Sequence, residues 1–127
     1  MCIDLENATK EELIEYIKRQ KTVIEQDFAN RRMLENIREW AHARNLIKGT
    51  TSSAQFEKYL EECGELGRAL IERDAVKLKD AIGDCVVVLT ILASQNQMKI
   101  EDCISAAYDE IKHRTGKMVD GVFVKDA

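Results

Sequence analysis

The stretch Val76-Lys-Leu-Lys-Asp80-Ala-Ile-Gly-Asp84-Cys-Val-Val-Val88-Leu-Thr-Ile-Leu92 decides the fold, because it supports two opposite readings. Three consecutive valines favour a strand by β-branching alone. The pattern around them runs from Lys77 to about Gln95 without a turn signal, far longer than an ordinary strand. Propensity is a weak guide beside periodicity of that length. The segment therefore reads as a helix capped by Asp74, with Val76, Ile82, Cys85, Val86, Leu89 and Leu92 facing inward.

The flanking sequence extends the same pattern in both directions. Upstream, Ser52 with Gln55 forms a capping-box signature, and Phe56, Tyr59, Leu60, Cys63, Leu66 and Leu70 give the next helix an inward stripe. Leu34, Ile37, Trp40 and Ala41 make a helical face that ends at Gly49-Thr-Thr-Ser-Ser53. Thr9 with Glu12 opens a first helix carrying Leu13, Ile17, Ile24 and Phe28, and the stretch from Asn30 to Arg32 either bends that helix or ends it. Downstream, a helix over Glu101 to Arg114 carries Ile104, Ala107, Tyr108 and Ile111, with Gly116 as its C-cap. The tail Met118-Val-Asp-Gly-Val-Phe-Val124 predicts a small turn at Asp120-Gly121 or a docking arm.

These readings make an all-α protein, with a compact antiparallel helical core over residues 31–127 and an N-terminal helical extension over residues 1–30 that is suited to an oligomer contact. The 127 residues are 45% hydrophobic and contain no proline, which suits one domain with a real core and no staples. Lys plus Arg number 19 against 23 Asp plus Glu, a net charge of -4 that argues against binding a nucleic-acid polymer through its backbone. No glycine-rich phosphate loop is present. Cys2, Cys63, Cys85 and Cys103 lack CxxC spacing, no basic-then-apolar leader begins the chain, and no apolar run approaches a membrane span. The expectation is a cytoplasmic protein with reduced thiols and no membrane partner.

Charge collects where two of these helices should pack. Glu61, Glu62 and Glu65 share one helix, and Asp80 and Asp84 the next, at the three- and four-residue spacings that put side chains on one face. Removing these five carboxylates leaves 19 basic and 18 acidic residues, so the cluster carries the whole negative balance. Gly64, Gly67 and Gly83 lie among them, as small residues would if helices approached closely or a ligand entered. Facing ridges of hard oxygen donors suit Mg²⁺, with Mn²⁺ as substitute; ridges turned separately to water are the alternative. Only His42 and His113 are present, too few for a three-histidine zinc site.

At Glu61-Glu-x-x-Glu65 followed by Asp80-Ala-Ile-Gly-Asp84, the sequence resembles the MazG-like, all-α nucleoside triphosphate pyrophosphohydrolases. The resemblance runs from about Ile37 to Lys125 and includes Trp40-Ala41, Gln55, Lys58, Glu110-Ile-Lys-His-Arg-Thr-Gly-Lys117 and Asp120-Gly-Val-Phe-Val-Lys125. The family pattern is EExxE followed by ExxD on antiparallel helices. Glu61, Glu62, Glu65 and Asp84 match it, whereas Ala81 stands where the second motif has glutamate. Asp80 lies one residue earlier, about 100° around the helix, and would act through water or after a local shift.

The resemblance implies Mg²⁺-dependent hydrolysis of a nucleoside triphosphate, often a deoxynucleotide, between the α and β phosphates, releasing monophosphate and pyrophosphate. It implies Glu62, Glu65 and Asp84 as metal ligands, Glu61 as a ligand or water-orienting group, and Asp80 in support. Lys58 is either an i,i+4 partner of Glu62 or a phosphate-facing residue, and Gln55 either a cap or a base or sugar contact. Trp40 is either core or a stacking surface for the base. Lys112, Arg114, Lys117 and Lys125 form the family's basic closing segment, a source of phosphate contacts. A homodimer or homotetramer is implied as well. A helical nucleotide-sensing or interaction module with weak turnover is the competing account, and Ala81 is its sequence argument.

Overall fold

Helix α1 (Lys10–Arg31) begins at a complete capping box. The Thr9 side chain accepts from the Glu12 amide, and the Glu12 carboxylate accepts from the Thr9 amide at 2.8 Å. The computed structural model describes residues 2–127 and divides into two units, one ending at Asn36 and the other spanning Ile37–Ala127. Within the first unit, Ile17, Ile24 and Phe28 of α1 are exposed. Helix α2 (Met33–Ala43) starts directly after Arg32, so the Asn30 to Arg32 stretch ends one helix and opens another.

In the second unit, α3 (Ser52–Glu72) and α4 (Ala75–Gln95) form a helical hairpin that makes most of the core. Its connection is short because Arg73 adopts a left-handed conformation (φ 53°) and Asp74 immediately caps α4, accepting from the amides of Val76 and Lys77. The cap of α3 is Thr51 rather than Ser52. Helix α5 (Ile100–Ile111) packs on α4 and ends before Arg114. Gly116 does not cap it; this residue opens β1 (Gly116–Val119), which pairs antiparallel with β2 (Val122–Lys125). The two-residue turn is Asp120-Gly121, both at positive φ as a tight hairpin requires.

The inward faces match the sequence expectation only in part: Ala41 of α2 is fully buried as expected, and Cys85, Leu89 and Leu92 of α4 are half-buried. On α3 the buried positions are Gln55, Glu62 and Ala69, a seven-residue repeat, with Tyr59, Cys63 and Leu66 half-buried beside them. Phe56, Leu60 and Leu70 are exposed. On α4, Ala81, Val88, Thr90, Ile91 and Ala93 are buried, whereas Val76, Ile82 and Val86 are exposed. Apolar residues occur nearly all round α4, so counting them does not determine its phase. Ile104, Tyr108 and Ile111 of α5 are exposed as well.

Polar contacts pin this hairpin at its open end. Thr50 Oγ1 donates to the Leu46 carbonyl and accepts from Gln55 Nε2 at 3.0 Å and from Gln95 Nε2 at 2.8 Å. Gln95 also donates to the Thr50 carbonyl, tying the end of α4 to the start of α3. Arg38 on α2 grips Glu101 at the start of α5 with both terminal guanidinium nitrogens. The pairing holds the Glu101 carboxyl below its ordinary range, against the opposing effect of partial burial.

A depressed carboxylate value means that fewer protons bind the folded chain, so the stabilisation is present above the unfolded value of 4.5 and is lost as pH falls through the folded one. Glu101 is partly exposed, so Glu101→Gln is expected to lower unfolding free energy by only about 1 kcal/mol at neutral pH. Urea titrations of both chains should show that difference shrinking as the pH is taken below 4.5.

Candidate functional site

The seven-residue repeat of α3 places a carboxylate in its seam with α4. Glu62 is 6% exposed, between the levels of Gln55 and Ala69, and α4 brings Asp84 opposite it. Glu65, one helical turn on from Glu62, completes a group: one carboxylate oxygen from each of Glu62, Glu65 and Asp84 lies within 4.8 Å of the others. Glu62 is buried, Asp84 half-buried and Glu65 exposed, so the group is rooted in the core and open at one side.

The charges are incompletely compensated. Lys58 Nζ lies 3.3 Å from Glu62 Oε1 and 3.2 Å from Glu61 Oε2, and these two carboxylates raise its pKa, the Glu61 hydrogen bond most. Glu62 Oε2 is buried without a hydrogen-bond partner. An unpartnered buried polar atom costs about 1–3 kcal/mol, and more when charged. Burial raises the Asp84 pKa first, followed by the charges of Asp80 and Glu62. One added divalent cation would answer both problems.

The donor set fits such an ion. Bonds of about 2.1 Å in octahedral geometry separate ligand oxygens by about 3 to 4 Å, so small side-chain rotations would close this group around Mg²⁺. All three donors are hard oxygens, without histidine or thiolate. Glu61 and Asp80 lie outside the group. Glu61 is exposed and held by Lys58, while Asp80 lines the adjoining cleft between α3 and α4. Ala81, at the second-motif position expected for glutamate, is 4% exposed and contributes a methyl to the helix seam. Nothing lies within 4 Å of a Cβ built on Gly64, Gly67 or Gly83, so these glycines border open space and do not mediate close helix approach.

The other expected site residues are dispersed. Gln55 is buried and donates to Thr50. Trp40 is exposed on α2, with the Arg44 guanidinium 4.7 Å from its ring centroid. Lys112 pairs with Asp109 at 2.8 Å and Arg114 with Glu110 at 3.4 Å. In the hairpin, Lys117 pairs with Val124 and Lys125 with Gly116, so the two lysines project from opposite faces of the ribbon. Arg68, three residues beyond Glu65, was not singled out in the sequence; it lines the cleft beside the group. Its i,i+3 spacing from Glu65 was the available signal. The larger cleft, about 760 Å³, lies in the first unit around Tyr16 and Val23.

A family profile described as the MazG nucleotide pyrophosphohydrolase domain matches residues 50–119, which include the α3–α4 hairpin and all three carboxylates. The chain is 44% identical over 66 residues to an uncharacterized 18.2 kDa protein from the rep-hol intergenic region of Haemophilus phage HP1. The match covers 52% of this chain and spans 40% of that relative's length. No solved structure gives a significant match. Among the described residues, no helix is long and apolar enough to cross a membrane.

Because the Asp84 pKa is raised, metal-free stability should fall as pH rises from 3.8 through the higher folded value. Asp84→Asn is therefore expected to raise the urea midpoint in EDTA at neutral pH. Mn²⁺ is expected to raise the wild-type Tm, by about 2.7 kcal/mol of stability at a hundredfold excess over Kd, and Asp84→Asn is expected to abolish that rise.

Proposed function

The chain belongs to the MazG nucleotide pyrophosphohydrolase family, and from that premise we propose that it is a Mg²⁺-dependent nucleoside triphosphate pyrophosphohydrolase directed to deoxynucleotides. In this reading it cleaves between the α and β phosphates, giving nucleoside monophosphate and pyrophosphate. The observation that carries the proposal is the convergence of Glu62, Glu65 and Asp84 from two helices, with a buried Glu62 oxygen lacking any partner. A solvated acidic ridge would not require that burial.

Glu62, Glu65 and Asp84 are the residues that would hold Mg²⁺. When bound, the ion would screen the phosphate oxygens and lower the pKa of a coordinated water. Glu61 keeps an exposed carboxylate beside the group and is assigned the proton released as water attacks the α phosphorus. Lys58 steadies Glu61 and Glu62 on one side. Asp80 supports the site from the adjoining cleft. Lys112, Arg114, Lys117 and Lys125 are proposed as phosphate contacts, Trp40 as a stacking surface and Gln55 as a base or sugar contact.

Exposed Phe56, Leu60, Leu70, Ile71, Val76 and Ile82 on the α3–α4 hairpin support assembly into a homodimer or homotetramer, since a lone hairpin leaves this apolar surface in water. The proposed setting is the cytoplasm, with soluble nucleotides as substrates. One observation favours a second reading: the buried methyl of Ala81 supplies no ligand at the second motif, as in a nucleotide sensor with weak turnover.

The two readings separate in a panel of ribo- and deoxyribonucleoside triphosphates incubated with Mg²⁺ and resolved by phosphorus NMR. Equimolar monophosphate and pyrophosphate is the expected result, with loss of activity on the order of 100-fold in Glu65→Gln. Stepwise orthophosphate release would contradict the proposed cleavage, and saturable nucleotide binding without products would favour the sensor.

A further inference from the structure

A cleft of about 260 Å³ opens between α3 and α4, lined by Glu65, Arg68, Glu72, Lys77, Asp80 and Ala81. It adjoins the carboxylate group through Glu65, which belongs to both. Within it, Lys77 and Glu72 neutralise each other at 3.1 Å. Arg68 forms no salt bridge among the described residues, although Glu65 sits three positions before it on the same helix.

The order along α3 gives that arginine its meaning. Lys58, Glu61, Glu62, Glu65 and Arg68 follow one another at helical spacings on one side of the helix, so cations bracket the carboxylates. Lys58 is engaged by Glu61 and Glu62. The guanidinium of Arg68 keeps its donors available, and its planar fork matches two oxygens of a phosphate. Ala81 matters here too. A methyl in the cleft wall, where the family motif has a carboxylate, removes a competing acidic partner for Arg68.

We infer that Arg68 binds the pyrophosphate portion of the substrate, in the cleft on the side of the carboxylates away from Lys58. This inference rests on the proposed function. It also makes binding conditional. The cleft contains three carboxylates and two cations, and therefore does not draw a polyanion by itself. A divalent cation on Glu62, Glu65 and Asp84 would cancel two of that group's three negative charges and give phosphate oxygens a cationic partner beside Arg68, so polyphosphate should bind only with metal present.

The test is calorimetric titration of the full chain with inorganic pyrophosphate, in Mg²⁺ and in EDTA, beside a titration with Mn²⁺ alone. Arg68 is exposed, so Arg68→Gln is expected to keep the helix. Wild type should bind pyrophosphate only in Mg²⁺. In Arg68→Gln that affinity should fall about tenfold while Mn²⁺ affinity stays within about twofold, and Arg68→Lys should recover part of the loss. Pyrophosphate affinity within about twofold of wild type in Arg68→Gln overturns the assignment while leaving the carboxylate site standing. A wild type that binds Mn²⁺ but no pyrophosphate also overturns the assignment, and one that binds neither overturns it together with the proposed function.

Discussion

Burial of a carboxylate between α3 and α4 is the constraint on which the second unit depends. Glu62 occupies the middle of a seven-residue repeat that runs Gln55, Glu62, Ala69, a place where a helical hairpin ordinarily puts a large apolar side chain. Lys58 reaches one of its oxygens and nothing reaches the other. The hairpin tolerates this because its ends are secured independently. Asp74 caps the tight connection, and Thr50, Gln55 and Gln95 lock the open end. Securing both ends of the seam holds Glu62, Glu65 and Asp84 together, the kind of preorganisation that a metal site would need.

The same constraint explains where the apolar residues went. With Glu62 and Asp84 turned toward the seam, the wide hydrophobic flanks of both helices turn away from it. Phe56 and Leu60 on α3 and Ile82 and Val86 on α4 are consequently exposed. A carboxylate seam at the centre of the hairpin and exposed apolar flanks along its sides are thus two consequences of one helical phase. The basic tail obeys a different rule. Pairing across the Asp120-Gly121 turn sends Lys117 and Lys125 to opposite faces of the ribbon.

Much of this was legible in the residues, and what was not has identifiable causes. Helix type was readable because the periodicity around Val86 to Val88 outlasted the β-branched run, and the Thr9, Asp74 and Asp120-Gly121 signals act through local backbone chemistry. Helical phase was readable only in part, through residues such as Ala41, Cys63 and Leu89, because an apolar residue is taken to point inward and this seam is built around Glu62. Spacing placed five carboxylates on two ridges and left open whether those ridges face each other; the resemblance implied Glu62, Glu65 and Asp84 as ligands, and side-chain directions that spacing does not resolve put these three together, with Glu61 and Asp80 beside them. Arg68 has no distinctive signal, because a cation after a run of glutamates reads as an ordinary helix-surface pairing; only the structure places it in the cleft without a salt bridge among the described residues.

Whether the converged carboxylates hold one shared ion is most directly decided by anomalous diffraction from crystals grown in Mn²⁺. The account predicts a manganese peak bonded to oxygens of Glu62, Glu65 and Asp84, including the Glu62 oxygen that otherwise has no partner. Ordered side chains in their present positions with no peak between them, despite saturating manganese, would contradict it.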